Sequence, residues 1–92
     1  MERAILNDKD FIIEINRTII INALRDFCSV DTKKRFLVSD WHGTDDFKFI
    51  CKNAEINPEM ISDVFIKLAM LPNGKRKKEV NNLISTIESF PI

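Results

Sequence analysis

Apolar and polar positions along the first third of the chain repeat with a helical period. In "NDKDFIIEINRTIIINALRDFCS" a step of about 100° per residue places Ile12, Ile13, Ile19, Ile20, Ala23, Leu24 and Phe27 on one broad face. Glu14, Thr18, Asn22 and Arg25 fall opposite. Isoleucine runs also suit strands, but this length without a turn signal predicts a helix, capped by Asn7 or Asp8. The apolar arc is unusually wide. Ile15 extends one border, Ile21 and Phe11 spill past the edges, and Asn16 sits inside the face. Such a helix is buried on more than one side, either by later helices wrapping it or by a second copy of the chain.

The later pattern is punctuated more sharply. Asp31 or Thr32 starts a short helix carrying Phe36 and Leu37, and Gly43 ends the connection after it. Thr44 caps a third helix over 45–54, with Asp45 and Asp46 in its first turn and Phe47, Ile50, Cys51 and Ala54 inward. Asn57 then caps and Pro58 takes the first position of a fourth helix, which runs to about Leu71 and buries Ile61, Val64, Phe65 and Leu68. "LPNGK" is a stop, and a last amphipathic helix beginning within "KRKKEV" carries Val80, Leu83, Ile84 and Ile87 until Pro91. Trp41, Phe47 and Phe36 are expected to plug the core. The expected fold class is all-α: one domain over 1–92, a compact bundle of about five helices containing a helix-turn-helix at about 45–71.

Composition narrows the function. The chain has 92 residues, 45% hydrophobic and 30% charged, which is a normal globular balance and enough for one modest core. Fourteen basic and fourteen acidic residues cancel, so any affinity for nucleic acid must come from the placement of charge. Cys28 and Cys51 are too few and too far apart for a disulfide frame or metal site, and read as small apolar residues. His42, near Asp40, Trp41, Asp45 and Asp46, is the sole histidine, and the acids are explained as helix-start residues. With no glycine-rich phosphate loop and no paired nucleophile and base, a non-enzymatic protein without cofactor is expected. The opening residues lack a secretory pattern and no apolar run approaches a membrane span, which points to a cytoplasmic protein.

One stretch suggests a use. A DNA-binding helix-turn-helix needs a small residue in its first helix, a turn-tolerant residue four positions on and an aliphatic anchor six further. Cys51, Glu55 and Ile61 hold those posts, with Ala54, Ile56 and Val64 buried around them and Asn57 as cap. Glycine is usual at the turn because that residue tends towards positive φ. On this reading Asn57, Glu59, Ser62, Asp63 and Lys67 face the bases, while Lys48, Lys52, Lys75, Arg76, Lys77 and Lys78 hold phosphates, aided by Lys33, Lys34 and Arg35. Acids at Glu59 and Asp63 stand against it, since they are repelled by phosphate and can accept only from cytosine. Dimerisation through the first helix would supply a second half-site. The alternative is a helical protein-binding module, an inhibitor or adaptor, that uses the same shape without DNA.

"INALRDF" followed by "WHGTDDFKFICKNAEINPE" resembles small uncharacterised proteins of phage and prophage regions in proteobacteria. Trp41, Asp46, Phe47, Cys51, Ala54, Ile56, Asn57 and Pro58 carry the likeness, which covers roughly residues 16 to 68. It implies a helix-turn-helix protein, a phage-type regulator, and transfers no catalytic residue. The chain departs from that pattern at Glu55, where glycine stands, and at Asp63, where a basic residue is common.

Overall fold

A computed structural model of the chain describes residues 8–90. Asn7 and Pro91, read as cap and terminator, lie outside the described residues. Five helices follow one another: α1 (Asp8–Phe27), α2 (Thr32–Trp41), α3 (Asp45–Asn53), α4 (Pro58–Ala69) and α5 (Asn73–Glu88). No strand occurs among the described residues. α1 packs against α2, α3 and α5, while α4 packs against α3 and α5. The core joins Ile20, Leu24 and Phe27 of α1 to Val38, Phe47, Cys51, Ile61, Phe65, Leu68, Val80, Ile84 and Ile87.

Three caps fall where the sequence places them. Asp31 accepts from the Lys33 N–H at 2.9 Å, Thr44 from Phe47 at 3.1 Å and Asn57 from Glu59 at 2.9 Å. Each satisfies one of the backbone donors that a helix start leaves unpaired. α5 differs. It begins at Asn73, with Pro72 as a cap lacking any side-chain bond, so Gly74 lies within the first turn instead of stopping the chain. The fixed φ of proline suits a helix entrance, and that preference outweighs the breaker tendency of one glycine.

The α3–α4 corner closes as a Schellman turn. The Ile56 N–H donates to the Cys51 carbonyl at 3.0 Å and the Glu55 N–H to Lys52 at 3.1 Å. Glu55 has φ 56°, the positive value expected of the turn residue, and among described non-glycine residues it alone does so. A side chain there costs about 1 kcal/mol. Its ion pair with Lys9, 3.6 Å long and exposed, offsets little of that. Glu55→Gly should therefore raise the unfolding free energy by up to about 1 kcal/mol in urea denaturation. A loss of stability would mean that the carboxylate's contacts outweigh the backbone strain.

The buried side of α1 is rotated from the expected one. Ile13, Arg17, Ile20, Ile21, Leu24 and Phe27 are buried, whereas Ile12 and Ile19 are 48% and 38% exposed. The wrapping helices cover one edge of the wide arc and leave the other open. In α2 the buried place goes to Val38, and Phe36, expected in the core plug, is 64% exposed. Phe36 and Val38 point to opposite sides of a helix, so burying one exposes the other. Ile50, Val64 and Leu83 are half-buried rather than central.

Candidate interface surfaces

The residues read as base-facing lie along α4, and most are already engaged. Asn57 uses its side-chain oxygen to cap the helix. Ser62 is half-buried and hydrogen-bonded to His42 Nε2 at 2.8 Å. Lys67 pairs with Glu79 of α5 at 3.7 Å. Glu59 and Asp63 remain exposed, followed by Ile66 at 57% and Met70 at 81%. The outward side of α4 thus offers acids and apolar surface, where a major-groove reader offers donors.

The phosphate-facing set divides. Lys48 and Lys52 are exposed on α3, and Lys75, Lys77 and Lys78 are exposed at the start of α5. Arg76 is a correction: it turns inward. Its Nε donates to the Leu68 carbonyl at 2.8 Å, its Nη2 donates to Leu71 at 2.9 Å, and the guanidinium lies 5.8 Å from the Phe27 ring centre. The last carbonyls of α4 have no i+4 helical partner and carry partial negative charge, so they attract this cation, although Leu68 also accepts from the Leu71 N–H at 3.1 Å. α4 has 12 residues and so rises about 18 Å, and the α5 lysines follow its far end rather than the Asn57 end. Of the other cations, Lys33 and Lys34 are exposed and Arg35 is half-buried beside Thr32.

A different surface stands out. Ile12, Ile15 and Ile19 form an exposed stripe along α1, continued by half-buried Ala23. From Ile19 the stripe runs into a shallow groove of about 360 Å³ with Ala23, Leu37, Val38 and Trp41 on its walls. Leu37 is 62% exposed. Apolar surface this continuous, rimmed by polar groups, is characteristic of an interaction site.

Arg17, unremarked in the sequence, is 8% exposed at the heart of the molecule. Its Nε donates to the Ala54 carbonyl at 2.9 Å and its Nη1 to Phe90 at 3.1 Å, with the Phe90 ring 5.6 Å away. It ties α1 to both the α3–α4 corner and the end of α5. The signal was present, because spacings of four and three place Arg17 between Ile13 and Ile20 on one helix face.

His42 and Trp41 have structural surroundings. His42 lies 5.2 Å from the Phe47 ring and 5.0 Å from Phe65, and Trp41 Nε1 donates to Asp46 at 3.2 Å. Among the described residues, no group of three or more His, Cys, Asp or Glu side chains could hold a metal ion, and no helix is long and apolar enough to cross a membrane. Burial pushes the Cys51 thiol up to about 11, and it also raises Cys28 against the opposing charge of Arg76. Only a thiolate is alkylated readily. At pH 8 iodoacetamide should thus modify half-buried Cys28 well before buried Cys51, which should react only after denaturation. Equal rates by mass spectrometry would show that the α3 core opens.

No family model, curated protein or solved structure matches the chain.

Proposed function

We propose that the protein is a non-enzymatic association module that pairs with a second copy of itself along α1 and α2. The open apolar stripe of Ile12, Ile15 and Ile19, running into the groove beside Leu37 and Trp41, carries this reading. Its spacing is that of a coiled-coil seam. Ile12, Ile15 and Ile19 recur at three and four residues, the register in which a helix receives another of the same period. A two-fold pair needs a surface complementary to itself, and an isoleucine stripe with central Ile19 meets that need. Zero net charge adds no long-range repulsion between copies. Sedimentation equilibrium from about 1 to about 100 μM tests the pairing: the mass should rise to that of a dimer within that range. A constant monomer mass would exclude it.

DNA binding is the second reading, favoured by the tight Glu55 corner, by exposed Lys48, Lys52, Lys75, Lys77 and Lys78, and by the phage-type resemblance. A regulator of that type would use the same dimer to reach two half-sites. Titration with random duplex at low and moderate salt separates the readings. Affinity that falls steeply with salt, and is lost on reversing Lys75, Lys77 and Lys78, supports DNA; its absence leaves a protein-binding module.

A further inference from the structure

A second cleft lies away from the apolar stripe's centre, between the end of α1, the α1–α2 connection and the first turns of α5. It measures about 650 Å³, and Arg25, Lys34 and Lys77 stand on its walls with Asp26 as the single acid. These three cations come from three different helices. The ion pairs among the described residues are Lys9–Glu55 and Lys67–Glu79, so none of the three is neutralised in that way. Cys28 and Ser29 contribute to the wall, as does Gly74, where no side chain obstructs approach to the backbone. Like charges gathered round one cleft repel each other, and an anion seated among them relieves that repulsion.

We propose that this cleft binds a phosphate group, carried by a small phosphorylated molecule or by a nucleic-acid backbone. Arg25 offers a planar fork suited to two phosphate oxygens, while Lys34 and Lys77 act as point charges on the remaining ones. The opening turn of α5 supports the same ligand, since its first N–H groups have no side-chain cap. Lys77, read from the sequence as part of a run with its neighbours, here works with residues remote in sequence.

The test is calorimetric titration of the full chain with sodium pyrophosphate and, separately, with a short random duplex. Lys34 and Asp26 also line the apolar groove, so both titrations are repeated on Ile19→Glu, which keeps the cleft whether or not copies pair. Saturable binding is expected, weakened about fivefold or more by each of Arg25→Gln, Lys34→Gln and Lys77→Gln, and unchanged by Lys9→Gln, which lies outside the cleft. All four positions are exposed, so the variants should keep the wild-type circular dichroism. Pyrophosphate binding alone identifies a small ligand, and duplex binding alone identifies a backbone phosphate. Absence of binding in both arms, or equal weakening by Lys9→Gln, would overturn the proposal.

Discussion

Replacing Arg17 with alanine is expected to lower the unfolding free energy by about 3 kcal/mol, a large share of the total for a domain of this size. The contacts described above supply three sources of that loss. The Ala54 and Phe90 carbonyls each lose a charged donor, at 2.9 and 3.1 Å, and burial keeps water from replacing both fully. The Phe90 ring loses the guanidinium 5.6 Å from its centre. A long buried side chain also leaves a void beneath the α3–α4 corner. Arg17→Lys should recover less than half, because one ammonium on a flexible stem cannot reproduce a fork aimed at two separate elements. Urea midpoints for the three proteins provide the check. A loss below about 1 kcal/mol for alanine would mean that water satisfies both carbonyls.

Ile19→Glu should have the opposite profile, with pairing abolished and the single-chain fold intact. Under two-fold symmetry the substitution enters the seam twice. At about 2 kcal/mol for each central residue, the combined cost of about 4 kcal/mol weakens association about a thousandfold. The chain's own stability should change by less than about 0.5 kcal/mol, because Ile19 is 38% exposed before pairing. Ile20→Glu is the contrasting variant. Ile20 is 0% exposed, and a carboxylate there should unfold the molecule. Sedimentation and thermal melts of the two proteins should therefore separate a seam position from its neighbour in the core.

That neighbouring residues differ so completely explains what could be read in advance. Caps at Asp31, Thr44 and Asn57 were legible because each is a local event, one side chain meeting a backbone N–H two or three residues on. The positive φ of Glu55 was legible for the same reason, through the spacing of Cys51, Ala54 and Ile61 around it. Which edge of α1 is covered was not local. Ile12 and Ile13 are equally apolar, and the choice depends on how α3 and α5 approach. Arg17 settles it, since its guanidinium has to find the Ala54 carbonyl, 37 residues away.

The candidate surfaces follow the same division. Acids at Glu59 and Asp63 were visible as a defect in any reading face, and they remain exposed. Arg76 could not be told from Lys75, Lys77 and Lys78 until the end of α4 stood beside it. The grouping of Lys77 with Arg25 and Lys34 likewise required the ends of three helices to meet. Phe36 and Leu37 both looked like core, yet Val38 fills the single inward place and leaves Leu37 to the groove of the proposed seam.

Isotope-filtered NOE spectra on an equal mixture of labelled and unlabelled protein give the most direct view of that seam. Cross-peaks between copies should join the methyl groups of Ile12, Ile15, Ile19 and Leu37. A sample without such peaks at about 500 μM, or one whose peaks run instead from Ile66 and Met70 on α4, would contradict pairing along α1 and α2.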